Sequence, residues 1–151
     1  PNDLPGVDVA GYIAREKAVV YKSRITDEDL VFTADTVVVV DNEVLGKPVD
    51  ANDARRMLHL ISGRKHQVVT GVCLLTSTDY HSFSVTTDVT FKQLSDEEIN
   101  YYIEHFKPFD KAGAYGIQEW IGYVGVTSIN GSYFNVMGLP VQRIWEEVHK
   151  L

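Results

Sequence analysis

The chain has 151 residues, 44% of them hydrophobic and 23% charged, which is the composition of one globular domain and excludes collagen-like, disulfide-scaffold and disordered chains. Acidic residues outnumber lysine and arginine by 21 to 14, for a net charge of −7, so we expect neither nucleic acid nor an anionic membrane as a partner. The one cysteine, Cys73, excludes internal disulfides and favours a reducing, cytoplasmic compartment. No apolar run approaches the ~20 residues of a transmembrane helix.

The first half of the chain predicts a helix, a strand hairpin and a second helix. Asp50 is a suitable N-cap for the second helix, and Gly63 ends it as the glycine after the last turn. In chain order the predicted elements are a loop over 1–8, a helix over about 8–23, a Val- and Thr-rich strand over 30–41, a short return strand at 44–45 and a helix up to Gly63.

The second half predicts another hairpin, a helix, a strand and a last helix. Strict alternation over 82–91 indicates a strand with one buried face, and Ser95 with Glu98 forms the capping box of the next helix. The further elements are a strand over 67–76, a hairpin turn at 78–79, an irregular glycine-rich segment over 110–118, a strand over 123–129, a turn at 130–131 and a helix from Pro140. Residues 1–151 are therefore expected to form one α/β domain with a mixed sheet.

Several common catalytic motifs are absent. Gly46-Lys47 lacks the upstream glycine of a phosphate-binding Walker loop, and no G-x-G-x-x-G or G-x-S-x-G segment is present. The five histidines are scattered, without an H-E-x-x-H pattern. Nucleophilic serine and histidine-zinc chemistries are therefore disfavoured.

Asp35 interrupts an otherwise apolar strand, where desolvation of a carboxylate is costly without a partner. One interpretation is structural, with Asp35 capped by backbone N–H groups or paired with a lysine. The other is functional, as a metal ligand or a general base at a strand end, where α/β sheets usually place their sites.

Three lysines can complete a phosphate-binding site with Asp35, although each alone is expected to be solvated surface charge. Lys17 lies on the first helix, Lys47 in the Gly-Lys-Pro bend and Lys111 in the glycine-rich loop. Lysines neutralise phosphate oxygens, while a carboxylate holds Mg²⁺ and orients water.

The glycine-rich loop can also meet a nucleobase. Its small residues, including Gly113, let the backbone approach a ligand, and Tyr115 and Gln118 can stack on a base and hydrogen-bond to it. The alternative is a plain loop that packs Tyr115 into the core. Asn135, close to the chain's end, is either a nucleotide contact or a turn residue.

Seven segments, in order and at similar spacing, resemble the Maf family, also called septum-formation proteins. The resemblance runs from about Glu16 to Pro140. It rests on Ala34-Asp35-Thr36-Val37-Val38-Val39, Leu45-Gly46-Lys47-Pro48, the helix 54–63, Val69-Thr70-Gly71-Val72, residues 94–99, the loop 110–118 and residues 131–140.

The resemblance implies an elongated mixed α/β fold, shared with inosine-triphosphate pyrophosphatases, with two lobes around a cleft. It implies a nucleoside triphosphate pyrophosphatase in which water attacks the α-phosphorus, with a divalent cation, Mg²⁺ or Mn²⁺, and a possible role in limiting modified nucleotides and in cell division. By residue, it implies that Asp35 is the proton acceptor and metal ligand, that Lys17 and Lys47 bind phosphate, that Thr36 and Gln118 choose the base, and that Lys111, Gly113, Tyr115 and Asn135 bind the nucleotide.

The loop 110–118 is similar to that of the family branch that cleaves dTTP and UTP, and less similar to the 7-methyl-GTP branch. The same chemistry on a modified nucleotide and a nucleotide-binding regulator of cell division remain alternatives. A homodimer is also implied.

Family members begin with a strand, a Ser-x-Arg-Arg loop and an acidic motif that do not occur in these 151 residues. We therefore expect a domain truncated at its N-terminus. If the polypeptide truly starts at Pro1, we expect it to be inactive and prone to aggregation or domain swapping.

Overall fold

The computed structural model describes residues 3–151, so the first two residues of the predicted loop over 1–8 lie outside the described part. The helices are α1 (Gly6–Val19), α2 (Ala51–Ile61), α3 (Asp96–Phe106), α4 (Trp120–Gly125), α5 (Tyr133–Met137) and α6 (Val141–Val148), with a 3₁₀ turn at Ala112–Ala114. The strands are β1 (Val31–Val40), β2 (Glu43–Leu45), β3 (Lys65–Leu75), β4 (Tyr80–Phe91) and β5 (Val126–Asn130).

The strands form a five-stranded sheet in the order β2-β1-β3-β4-β5, with helices on its faces. The predicted α/β class is confirmed. All four strand pairings between described residues are antiparallel, so the sheet is not mixed in strand direction. The β1–β2 and β3–β4 hairpins account for two of these pairings, because a short turn between neighbouring strands reverses the chain.

Alternation along β1 divides the core into two parts. Val38 and Val40 belong to the larger cluster, which includes side chains of α2 and α3. Val37 and Val39 belong to a smaller cluster with Ala10 of α1. Since successive strand residues point to opposite faces, neighbouring side chains of β1 pack in the cores on opposite sides of the sheet.

Helix α1 lies unusually close to the sheet. A Cβ atom on Gly71 of β3 would collide with the backbone of Ala10 and Gly11. The buried residues on this helix are small, with Ala14 and Ala18 continuing the contact surface. Because Gly71 has no side chain, the backbone of the helix can approach the strand closely at this point.

The predicted helix signals are confirmed where they depend on local chemistry. The Asp50 side chain accepts a hydrogen bond from the Asp53 N–H at 2.8 Å, and Ser95 with Glu98 forms both bonds of the capping box. Gly63, just beyond α2, has a φ of 69°, the left-handed conformation expected of a glycine at that position.

The C-terminal part differs from the sequence expectations. The strand predicted over 123–129 begins only at Val126, because α4 precedes it and buries Ile121 and Gly125 at helical spacing. Helix α5 was not predicted. In α6, Trp145 is 69% exposed, whereas Glu147 is buried because it pairs with His81, Arg143 and Lys150.

Candidate functional site

A cavity of about 570 Å³ opens beside the middle of β1. It brings together six of the side chains that the sequence analysis selected: Asp35, Thr36, Lys47, Lys111, Tyr115 and Gln118. Residues 34–38 of β1 form one wall, here called the strand wall. The loop 110–118 contributes a second wall, the loop wall, and Val136, Met137 and Gly138 add an apolar border.

The strand wall presents Asp35 toward α1. The Lys17 Nζ donates to Asp35 Oδ1 at 3.1 Å and to the Ala34 carbonyl at 3.2 Å. The Asp35 side chain keeps 23% of its surface exposed. The pair with Lys17 satisfies the structural interpretation of this carboxylate, while its place on the cavity wall leaves it accessible to a ligand.

Thr36 points to the opposite face of the sheet. Its hydroxyl lies 2.8 Å from that of the buried Thr70 and donates to the Gly138 carbonyl at 3.3 Å. The hydroxyl therefore connects β1 to the chain just after α5. Asp35 and Thr36 reach the same cavity from two faces of one strand.

The loop wall has an irregular backbone that tight packing holds in place. Gly113 and Ala114 both adopt left-handed conformations, with φ of 70° and 64°. The Gly113 N–H donates to the Gly46 carbonyl at 3.1 Å, and a Cβ at Gly113 would lie 2.7 Å from Val38 Cγ2. Gly113 is not part of the cavity lining; it seats the loop against the sheet.

Tyr115 lines the cavity but its ring belongs to the main core. Its hydroxyl lies 2.6 Å from His66 Nε2, and its ring packs edge-on against Phe91. Burial lowers the pKa of His66 to about 4 and raises the pKa of Tyr115, so both groups are neutral near neutral pH. The predicted packing alternative for Tyr115 is thus present in the structure.

The charges in the cavity balance locally although the whole chain carries −7. Lys47 and Lys111 line it together with Asp35 and Asp110. The hydrogen bond from Lys111, at 3.2 Å, is the largest cause of a lowered pKa at Asp110, and Lys47 adds to it through space. With Lys17 and Glu119 alongside, the region holds three lysines and three carboxylates and is neutral overall, so its lysines can contact an anionic ligand that the acidic chain as a whole would repel.

Asn135 lies away from the cavity lining and is fully buried. Its Nδ2 donates to the Val68 and Val85 carbonyls, at 3.1 and 3.0 Å, and to Thr87 Oγ1 at 3.0 Å. Its Oδ1 has no hydrogen-bond partner among the described residues. These bonds tie α5 to β3 and β4, so Asn135 holds the segment that carries Met137 and Gly138.

Two buried residues near the site were not predicted, namely His66 and Tyr102. His66 contacts Tyr115 of the loop, 49 positions further along the chain, and Tyr102 contacts Gly116, 14 positions further along. No short motif contains such distant partners. The only sequence signal was the helical spacing that places Tyr102 on the buried face of α3.

The donor set allows a divalent cation that the substrate helps to hold. Residues 3–151 contain no group of three or more His, Cys, Asp or Glu side chains arranged to bind a metal. Asp35 does offer one partly exposed carboxylate on the cavity wall. Mg²⁺ usually combines one or two carboxylates with phosphate oxygens and water, and a single carboxylate fits that pattern.

Fold and cavity together define an α/β protein with a binding site suited to a phosphorylated small molecule. The family model described as "Maf-like protein" matches residues 3–151, and the chain belongs to this family.

The chain is 56% identical to the dTTP/UTP pyrophosphatase of Phocaeicola vulgatus over 151 residues, which are 100% of this chain and 78% of that protein. It is 53% identical to the enzyme of the same name from Bacteroides fragilis, with the same coverage. For the one from Flavobacterium johnsoniae the identity is 46%, over 97% of this chain and 75% of that protein.

No helix within residues 3–151 has the length and apolar character needed to cross a membrane.

Proposed function

We propose that this protein is a nucleoside triphosphate pyrophosphatase that hydrolyses dTTP and UTP to the monophosphate and pyrophosphate. The observation that carries the proposal is a single cavity lined by Asp35, Lys47 and Lys111, in which Asp35 is paired with Lys17. The names of relatives that are 46 to 56% identical support the choice of substrate.

The side chains divide into groups that bind phosphate and a group that takes a proton. Lys47 and Lys111 neutralise the triphosphate as compact point charges. Asp35 accepts the proton of the attacking water, and Lys17 holds the carboxylate in place through its 3.1 Å contact. Binding water and phosphorus in line is itself a large part of catalysis in phosphoryl transfer.

Asp35 is also the side chain that would hold a divalent cation, Mg²⁺ or Mn²⁺. Such an ion, when bound, offsets negative charge on the phosphate oxygens. The remaining ligands would come from the substrate and from water, because Asp110, the other carboxylate of the lining, is engaged by Lys111.

The base would be read at the junction of the two walls. Gln118 is exposed, and its amide makes no hydrogen bond within residues 3–151, so it can match the donors and acceptors of a pyrimidine. Thr36 contributes a hydroxyl to the same cavity from the strand wall. Tyr115 and Gly113 act by shaping the loop, and Asn135 acts by holding α5.

We place this activity in the cytoplasm and in a single domain over 1–151, with neither nucleic acid nor membrane as a partner. A homodimer and a role in cell division remain predictions from the resemblance.

The direct test is pyrophosphate release from a panel of nucleoside triphosphates with Mg²⁺ or Mn²⁺. The 151-residue chain is assayed beside a version that also carries the N-terminal segment predicted from the family pattern. We expect dTTP and UTP to be the preferred substrates of at least the longer protein. Nucleotide binding without pyrophosphate release by either protein would contradict the enzyme and favour a binding regulator.

A further inference from the structure

The hydroxyl of Tyr102 lies directly behind the loop wall. Tyr102 projects from α3 into the main core and is fully buried, with its ring stacked on Phe106. Its hydroxyl accepts a hydrogen bond from the Gly116 N–H at 3.1 Å and donates one to Glu119 Oε1 at 2.7 Å. One buried hydroxyl thus holds two points of the segment that follows Lys111.

Lys111 lies against these same two points. A Cβ on Gly116 would be 2.8 Å from Lys111 Cε and 2.9 Å from Glu119 Oε1, so the lysine side chain crosses the open face of Gly116. The Lys111 ammonium lies 3.9 Å from Glu119 Oε1. The side chain that faces the cavity therefore rests on a surface whose shape depends on the Tyr102 hydroxyl.

The direction of this hydrogen-bonded chain is fixed. Burial, and next the bond to Glu119, raise the pKa of Tyr102, so its hydroxyl keeps its proton and donates it to the carboxylate. Its oxygen is then left to accept from Gly116. The hydrogen bonds run from the Gly116 N–H through the Tyr102 hydroxyl to the Glu119 carboxylate. That carboxylate faces the Lys111 ammonium as an ion pair at 3.9 Å, while Asp110 accepts the hydrogen bond of the ammonium at 3.2 Å.

We propose that Tyr102 and Glu119 are positioning residues that hold the Lys111 ammonium in place for the nucleotide's phosphates. This rests on the proposed function in taking Lys111 as a nucleotide contact. Neither positioning residue lines the cavity, so each acts through Lys111. The ligand class is the triphosphate, and the loss of either residue should weaken binding more than it slows the chemical step.

A double-mutant cycle on nucleotide binding tests the proposal. The probe is the non-hydrolysable α,β-methylene analogue of dTTP with Mg²⁺, and the variants are Y102F, K111M and the combination of both. We expect Y102F to raise Kd about ten-fold, the equivalent of ~1.4 kcal/mol for a hydrogen bond to a charged group. In the K111M background the same change should add less than about two-fold, because its effect passes through the missing lysine.

The matched control is Tyr101→Phe on the same helix. The Tyr101 ring packs on Trp120, but its hydroxyl makes no hydrogen bond within residues 3–151, so its removal should leave Kd unchanged. The proposal would be overturned if Y102F bound the analogue with wild-type affinity. It would also be overturned if the fold-change in Kd of the double variant equalled the product of the fold-changes of Y102F and K111M. Multiplying effects would mean that Tyr102 serves only the general packing of the core.

A second variant keeps the proposal testable if Y102F does not fold. Glu119→Gln retains an oxygen acceptor for Tyr102 but removes the charge that faces Lys111. We expect a several-fold rise in Kd with the thermal midpoint almost unchanged, and an unchanged Kd would count against the proposal.

The outcomes also separate this proposal from the proposed function. Wild-type protein that binds the analogue but releases no pyrophosphate from dTTP contradicts the proposed function alone, since the cycle can still be measured. Wild-type protein that does not bind the analogue overturns both. Normal turnover and binding in wild type, with Y102F equal to Tyr101→Phe, overturns only the positioning role.

Discussion

The two walls of the cavity are built in opposite ways. The strand wall uses a regular element, where alternation sends Asp35 to the α1 side and Thr36 to the other, and one surface ion pair with Lys17 completes it. The loop wall has consecutive left-handed residues, at Gly113 and Ala114, and depends on buried contacts. We therefore expect chemistry on the strand wall to depend on individual side-chain atoms, and binding on the loop wall to depend first on the shape of its backbone.

This difference determines what each wall tolerates. An isosteric change at Asp35 should remove function and leave the fold, because a partly exposed ion pair contributes about 0–1 kcal/mol to stability. A single added methyl on the loop wall should disturb the fold first. The four predictions below test this contrast, from the largest expected effect to the smallest.

Asp35→Asn should lower kcat for dTTP by about 10³-fold, because an amide cannot accept the proton of water. The free energy of unfolding should change by less than about 1 kcal/mol. Steady-state pyrophosphate release and urea denaturation measure the two effects.

The control for Asp35 is Asp41→Asn, at an exposed position with a φ of 48° that asparagine adopts well. It should leave kcat unchanged and the free energy of unfolding within about 1 kcal/mol of wild type, because the ion pair that it removes, with Arg64, is exposed. A near-normal kcat in Asp35→Asn would remove this carboxylate from the mechanism.

Gly113→Ala should destabilise the protein by about 3 kcal/mol, which combines a left-handed backbone and an overpacked contact with Val38. The urea midpoint should fall and the Kd for nucleotide should rise with it. Gly46→Ala is the matched control, since a Cβ there meets nothing within 4 Å. Equal stability of the two variants would show that the loop wall is loosely packed at Gly113.

Stability should depend on pH through His66, which lies beneath Tyr115 of the loop wall. Burial lowers its pKa to about 4 from an ordinary 6.5, so the unfolded chain binds more protons between these values. The contribution is fully present above pH 6.5 and declines as pH falls toward 4. Between pH 6.5 and about 4.5 the loss should be about 2 kcal/mol.

Urea denaturation of wild type and of His66→Gln over that range measures this contribution. Glu147, whose pKa is lowered to about 2 from 4.5, chiefly by Arg143 and His81, loses its stabilising effect mainly below the range. The variant should lack the His66 part of the slope, and parallel curves for the two proteins would contradict the assignment.

Gln118→Ala should change the preference between dTTP and other nucleotides several-fold, the equivalent of ~1 kcal/mol for one hydrogen bond to a base. The change in kcat on the best substrate should be smaller than this change in preference. The ratio of kcat/KM values across the nucleotide panel measures the effect. An unchanged ratio would mean that base selection lies elsewhere, for example at Thr36.

The strand wall could largely be predicted from the sequence because its information is local. Asp35 stands out among β-branched residues, strand alternation fixes its face, and the resemblance implied Lys17 and Lys47 as phosphate-binding lysines of the same site. The helix caps at Asp50 and Ser95 were confirmed for the same reason, since each depends on partners three residues away.

The loop wall could not be predicted in the same way because its contacts join distant segments. Nothing in the pattern around Tyr102 or His66 indicates that their polar atoms meet Gly116, Glu119 and Tyr115. The strand predicted over 123–129 was wrong at its start because burial of Ile121 and Gly125 outweighs β-propensity there. Glu147 is buried among ion pairs with Arg143 and Lys150 and a hydrogen bond with His81, which form only after folding.

The central claim is that water attacks the α-phosphorus in this cavity, and isotope labelling tests it most directly. The protein hydrolyses dTTP in water enriched in ¹⁸O, and mass spectrometry follows the products. The account predicts one ¹⁸O atom in dTMP and none in pyrophosphate. Label in the pyrophosphate, or release of dTDP and phosphate, would contradict it.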